Sequence, residues 1–332
     1  MKLEFDPKKN ITNLDYISMH LNKYLNKPYD LLIISKFVKN WQDVLLFRLG
    51  LKANIILHLK TGQQIKIKKP EDYYNFWRSE LGQVSLSQIT SRDRTIKIEN
   101  EKNKQVKFKF KNKIISFYYD SDKQMANTIG MIKEQFLKES YSWLDVKGKD
   151  VVDIGANIGD AAIYFALKGA KHVYAFEPYP YSYNLAIKNT KLNSLQNEIT
   201  ILNEGCSGKE KTIRIDKNYT NIGGTDLKKF DTGKEIKIMT LRDIIKRFNL
   251  KYPSILKVDC EGCEYGVLLK AQNSDLRKFE QIMVEYHYGY LNLKKKLESA
   301  GFKVSKTFPR YLFNADAENK EMIIGYIYAK RE

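Results

Sequence analysis

Acidic residues recur at one kind of position in the second half of the chain. Asp153, Glu177, Glu204, Asp259 and Glu285 each stand at or just beyond the end of a short apolar run. The first of these closes VVDIG and is followed by Gly155, Ala156, Asn157, Gly159 and Asp160, then by the amphipathic stretch AAIYFALKG. An apolar strand, an acid, a glycine turn and a helix start form a unit in which backbone can approach a ligand closely and unpaired N–H groups face it. The spacing G-x-N-x-G differs from the G-x-G-x-x-G of dinucleotide sites. A carboxylate at that strand end repels a pyrophosphate. It suits a ligand carrying a cationic group, such as the ammonium of a methionine moiety. A tight turn with no ligand is the plainer alternative.

The other strand ends extend this chemistry. Glu177, followed by Pro178, is placed to accept hydrogen bonds from both hydroxyls of a ribose. Asn203 and Glu204 are placed to meet an adenine edge. Asp259, Glu261 and Glu264 fall close together, and His287 follows Glu285. These four, Asp259, Glu261, Glu264 and His287, are the candidate catalytic residues, because a hydroxyl acceptor must lose a proton to a nearby base. Each also has a plainer use. Asp259 could face a ligand ammonium, Glu264 could cap the next helix, and His287 could be a hydrogen-bonded structural residue. Carboxylates at this spacing could hold a divalent cation, but acids alone often serve a helix start, so the sequence assigns no metal.

Elements of alternating type must position these groups. Apolar runs at 150–154, 172–176, 198–202, 254–258 and 281–285 predict strands. Helical periodicity covers 160–168, 181–192, 241–248, 265–271 and 292–300. Two final strands, 302–307 and 322–329, read as a hairpin, and 208–237 holds two short β pieces and the loop Asn221–Thr225. Such alternation implies an α/β fold with a parallel sheet covered on both faces. Ligands then bind beyond the carboxyl ends of the strands. An acid after each of five strands is hard to explain as solvated surface, because that edge points into one cleft.

The first 140 residues follow a different rhythm and are expected to form a separate helical and small β extension, with the ligand-binding domain at 141–332. Helical spacing runs through 1–50, with Thr12 or Asn13 as a first cap. A hairpin is expected over 55–68, a short helix carrying Trp77 over 71–80, and strands over 95–98, 105–111 and 113–119. In VKFKFK, Val106, Phe108 and Phe110 alternate with Lys107, Lys109 and Lys111. Such a lysine comb could contact phosphates, or more simply be the solvated face of a small sheet.

The formal net charge is +18. That charge permits nucleic acid, anionic lipid or an acidic glycan as partner without choosing among them. No apolar run approaches a membrane span, and MKLEFDPKKN lacks a signal-peptide core, so a cytoplasmic location is expected. The three cysteines make no disulfide framework. No further Cys or His pair completes a zinc site, so Cys260 and Cys263 are expected to be small packing residues.

Taken together, VVDIGANIGD, VYAFEPYPYSYNLAIKNTKLN and LKVDCEGCEYGVLL resemble the FkbM family of S-adenosylmethionine-dependent methyltransferases, most closely its archaeal members, over residues 141–330. The resemblance implies a class I methyltransferase, Rossmann-like fold with a seven-stranded, mainly parallel sheet whose last strand is antiparallel. It implies S-adenosyl-L-methionine as cofactor, lined by Asp153, Gly155, Asn157, Gly159 and Glu177; Ala156, Asp160, Pro178, Asn203 and Glu204 are expected to complete that lining. It also implies O-methylation of a hydroxyl on a glycan, lipid-linked sugar or small metabolite. DCEGCEY departs from the DVEGAE of many relatives only at its cysteines, which replace small apolar residues. One rival is an RNA methyltransferase using the basic N-terminal region. The Asp-Cys-Glu-Gly at 259–262 is not the Asn/Asp-Pro-Pro-aromatic pattern expected where a planar amino group is methylated. A second rival is a non-catalytic adaptor with the same fold. A third, an NAD-dependent oxidoreductase, is disfavoured by Asp153 and the missing third glycine.

Overall fold

The computed structural model describes residues 5–16, 19, 35, 38–48, 51–60, 62–68, 72, 96–99, 104–216, 219, 230–313 and 321–331. The chain forms two compact units, one of residues 20–131 and one of residues 1–19 with 132–332. Apart from Asp72, the helix expected over 71–80 with Trp77 lies outside the described residues, as do the loop Asn221–Thr225 and much of the apolar stripe in 1–50.

In the unit of residues 20–131, α1 (Trp41–Arg48) precedes an antiparallel hairpin of β1 (Ile55–His58) and β2 (Gln64–Ile67). Val38, Val44, Leu57, Leu59 and Ile67 form its small core. A second antiparallel sheet orders β3 (Ile96–Glu99), β4 (Gln105–Phe110) and β5 (Lys113–Tyr118). The period-two pattern holds in β4, where Val106, Phe108 and Phe110 are buried while Lys109 and, in the turn beyond, Lys111 are exposed. The helix α2 (Asp122–Ile132) follows.

The second unit carries the alternating rhythm. Its elements are β6 (Asp150–Ile154), α3 (Asp160–Leu167), β7 (His172–Phe176), α4 (Pro180–Leu192), β8 (Ile199–Leu202), β9 (Gly205–Cys206), β10 (Lys211–Ile215), β11 (Lys234–Met239), α5 (Leu241–Arg247) and β12 (Ser254–Val258). They continue with α6 (Cys263–Lys270), α7 (Asn273–Leu276), β13 (Phe279–Tyr286), α8 (Leu291–Ser299), β14 (Lys303–Lys306), β15 (Arg310–Phe313) and β16 (Glu321–Lys330). The central sheet runs β14–β16–β13–β12–β6–β7–β8, with β15 pairing the far part of β16. Neighbours from β13 to β8 are parallel, and β16 is antiparallel to both β13 and β14. This is the class I methyltransferase arrangement, with the antiparallel last strand that the terminal hairpin foretold. All five residues of β12 are buried, including one lysine, and Val151, Val152, Leu256, Ile282 and Val284 show no solvent exposure. Among the described residues no helix is long and apolar enough to cross a membrane.

Strand order reverses at β6. The chain leaves β6 toward β7 and β8, then returns to place β12 on its other side. A crevice opens at the carboxyl ends of two strands whose connections diverge in this way. There the two loops press together, because Asp259 N donates to Ile154 O at 3.0 Å. Gly155 has φ +84°, and a Cβ built on it would lie 1.8 Å from the Asp259 carbonyl oxygen. Backbone against backbone cannot yield as a side chain would, so only glycine fits. Gly155→Ala should therefore lower the unfolding free energy by about 2 to 4 kcal/mol, combining left-handed strain with overpacking. Urea unfolding measures it, and a midpoint equal to the parent's would show that the two loops can separate freely.

Candidate active site

Asp153, next to the last residue of β6, is wholly buried, and Lys257, next to the last residue of β12, reaches it with Nζ 2.9 Å from Oδ1. The same ammonium donates to Gly155 O at 2.8 Å and stands 3.7 Å from Asp259 Oδ2. Burial works against a charged lysine, but Asp153 and Asp259 outweigh it and hold Lys257 above its ordinary pKa. In this structure the cation that Asp153 faces is a side chain of the protein. Sequence reading missed Lys257. The available signal was a lysine inside SILKV, a run otherwise fit for a buried strand.

Glu177 is almost fully buried at the end of β7. Its Oε2 accepts Asn157 N–H at 2.8 Å and its Oε1 accepts Tyr179 N–H at 2.9 Å. Asn157 has φ +48°, so the glycine loop turns sharply over this carboxylate. Each carboxylate oxygen retains a second lone pair, so a vicinal diol such as a ribose finds two prepared acceptors. Burial pushes Glu177 up to about 7, although its backbone donors oppose the shift. Burial likewise pushes Asp160, in the first turn of α3, up to about 7, with Lys257 opposing. Asn203 donates from Nδ2 to Glu177 O and Pro178 O, both at 2.9 Å, and accepts from Lys234. Glu204 pairs with Arg247 at 2.6 Å. Asn203 therefore braces the Glu177–Pro178 backbone, and Glu204 is engaged by Arg247.

The β12–α6 turn gathers the remaining candidates. Asp259 accepts from the Tyr141 hydroxyl at 3.1 Å. Glu261 takes φ +56° and Gly262 φ +114°, a turn tight enough to bring Cys260 and Cys263 together as a disulfide with Cα atoms 5.4 Å apart. This corrects the expectation of two free packing cysteines, while Cys206 is free and buried. The helix α6 begins at Cys263, two residues earlier than its periodicity suggested, because Glu264 folds back to accept Gly262 N–H at 2.8 Å. Glu264 is fully buried and its other oxygen lies 2.7 Å from His287 Nδ1, while His287 Nε2 lies 3.2 Å from Glu261 Oε2. Burial alone would lower the imidazole pKa, but Glu261 and Glu264 hold it well above the ordinary value. A histidine bound at both ring nitrogens is no free base. The groups that reach the cleft are Asp259 and Glu261, whose side chains are 24% and 30% exposed. Glu285, already among the strand-end acids, and Tyr326, which the sequence did not single out, both feel the charge of Asp259. Glu285 is pushed well up by burial and by Asp259, and the Tyr326 hydroxyl donates to Glu134 at 2.7 Å.

The chain matches the methyltransferase FkbM domain over residues 153–304. It is 31% identical over 176 residues to a Methanocaldococcus jannaschii protein named provisionally as a protein N5-glutamine methyltransferase, covering 48% of this chain and 74% of that protein. It is 27% identical over 137 residues to the hexuronic acid methyltransferase AglP of Haloferax volcanii, covering 41% of this chain and 55% of AglP. Among solved structures, M. jannaschii TYW2 in complex with AdoMet aligns over 71% of this chain and 90% of that one, at 17% identity and a TM-score of 0.35.

The raised carboxyl groups fix a pH dependence. Unfolded, Glu177 and Asp160 release their protons near pH 4; folded, they keep them to about pH 7. The folded state holds more protons between those values, so their contribution makes stability fall as pH rises through that window, by up to about 1.4 kcal/mol per pH unit per group. Glu177→Gln and Asp160→Asn should each flatten the decline of the urea midpoint between pH 4.5 and 7.5. An unchanged slope in both variants would show that these carboxyls ionise normally in the folded protein.

Proposed function

The chain belongs to the FkbM methyltransferase family, and on that premise we propose that it is an O-methyltransferase whose acceptor is a hydroxyl of a glycan, lipid-linked sugar or small metabolite. S-adenosyl-L-methionine is the cofactor, and it supplies a methyl group already activated as a sulfonium. What the protein must add is position and a place for one proton. Glu177 receives the ribose hydroxyls on oxygens already oriented by Asn157 and Tyr179 N–H groups. The Gly155–Gly159 backbone comes close to the ligand because Lys257 draws Gly155 O toward β12.

The observation that carries the O-methyl reading is the partly exposed pair Asp259 and Glu261 beside His287 at the switch point. A hydroxyl arriving there meets carboxylates able to take its proton. His287, clamped by buried Glu264, steadies Glu261 from behind. Methylation of a glutamine amide, the chemistry named for the M. jannaschii relative, calls for a flat slot around a planar nitrogen. Asp259-Cys260-Glu261-Gly262 lacks the proline and aromatic residues of such a slot. The name of AglP makes an acidic sugar the acceptor class to try first, and a net charge of +18 favours an anionic partner.

Calorimetry with S-adenosylhomocysteine should show one site per chain, and Glu177→Ala should weaken it at least about tenfold, or about 1.4 kcal/mol. Transfer of labelled methyl groups to cell fractions should yield methyl ethers. Label found on glutamine amides instead would sink the hydroxyl assignment, and equal affinity in Glu177→Ala would remove Glu177 from the ribose.

A further inference from the structure

The pair at the carboxyl ends of β12 and β13 is more than a place for a proton. Asp259, Glu261 and His287 each offer one ligand atom, and these atoms all lie within 4.8 Å of one another. Around one ion with bonds of about 2.1 Å, ligand atoms stand about 3 to 4 Å apart. Small side-chain rotations would therefore close the set. His287 is held in the manner of a metal-bound imidazole. Its Nδ1 is 2.7 Å from the carboxylate of Glu264, which has no solvent exposure, and this contact fixes the ring so that Nε2 faces Glu261. A buried carboxylate behind a histidine sets the ring's orientation and raises the basicity of the nitrogen that binds the ion.

The charges surrounding the ring supply a second, independent observation. Glu285 precedes His287 by two residues, on the same face of its strand. The Glu285 side chain has no hydrogen-bond or ion-pair partner among the described residues. Three carboxyl groups, Asp259, Glu261 and Glu264, thus gather about one imidazole. Lys257, the ammonium nearest to Asp259, is shared with Asp153. The arrangement carries an excess of negative charge, directed at a point that the cleft can reach.

We propose that Asp259, Glu261 and His287 bind a divalent first-row metal ion, with Glu264 as the positioning residue for His287. Imidazole with carboxylates suits Mn²⁺, Fe²⁺, Co²⁺ or Zn²⁺, whereas Mg²⁺ and Ca²⁺ favour sites made of oxygen alone. Three protein ligands leave coordination positions open, and the partial exposure of Asp259 and Glu261 opens those positions to the cleft. The ion's role in catalysis rests on the methyl-transfer reading; its binding does not. In that role the ion would polarise the acceptor hydroxyl, and the Glu261 carboxylate would take its proton. The new O–C bond then forms as the C–S bond breaks, with the electron pair remaining on sulfur.

The test uses the full chain stripped with a chelator and then titrated with Mn²⁺. Electron paramagnetic resonance should report one bound Mn²⁺ per chain, and spin-echo modulation should show coupling to an imidazole nitrogen. His287→Gln and Glu261→Gln should each weaken binding at least about tenfold, and Glu264→Gln by about 10- to 100-fold. S-adenosylhomocysteine calorimetry on the same samples separates this inference from the cofactor reading and confirms that the variants fold. S-adenosylhomocysteine binding without Mn²⁺ binding, Mn²⁺ binding without nitrogen coupling, or equal Mn²⁺ binding in all variants would each overturn the metal site while leaving the methyltransferase assignment in place.

Discussion

One buried ammonium ties the cleft together. Lys257 sits at the centre of the sheet, where a charge is expensive to desolvate. It is kept there by Asp153 on the neighbouring strand, the Gly155 carbonyl on the loop above and Asp259 at the end of its own strand. These three contacts join the two halves of the switch point. The glycine loop that faces the cofactor and the turn that carries the acids are thereby placed relative to each other by one side chain. Gly155, pressed against the Asp259 carbonyl, is the steric counterpart of that electrostatic link.

The two sides of the cleft solve different problems with similar groups. On the cofactor side, Glu177 is held by backbone N–H groups and so presents a fixed pair of acceptors. On the acceptor side, carboxylates gather about an imidazole, and the turn bearing them is narrowed by the Cys260–Cys263 disulfide and started as a helix by Glu264. Glu264 serves twice, once to cap α6 and once to hold His287. This explains how helix capping and site chemistry, alternatives when only spacing is known, can both be true of one residue.

Support for His287 comes partly from far away in the chain. Asn10 is buried against the turn that follows it, accepting from Tyr290 and Leu291 N–H groups through its carbonyl and donating to Tyr288 O. A Cβ on Gly289 would meet the Asn10 carbonyl at 2.6 Å. Asp15 adds contacts with the Tyr290 hydroxyl and with Lys306 at 2.7 Å. The first residues of the protein therefore brace the strand end that carries a candidate catalytic group.

The sequence by itself determined the parallel sheet, the terminal hairpin and the acid at each carboxyl end, because strand and helix periods are local properties of side-chain pattern. It also located the glycine turn, whose spacing needs no partner to be read. Tertiary structure decided which charge meets which. That Asp153 faces Lys257, that Asn203 and Glu204 are engaged by the protein, and that His287 is clamped between Glu264 and Glu261 all depend on residues brought together from different strands. The disulfide depended on left-handed backbone at Glu261 and Gly262, a conformation that spacing alone does not announce. Electrostatic pairing acts through space, so the residues with the most chemistry were visible in the sequence while their partners were not.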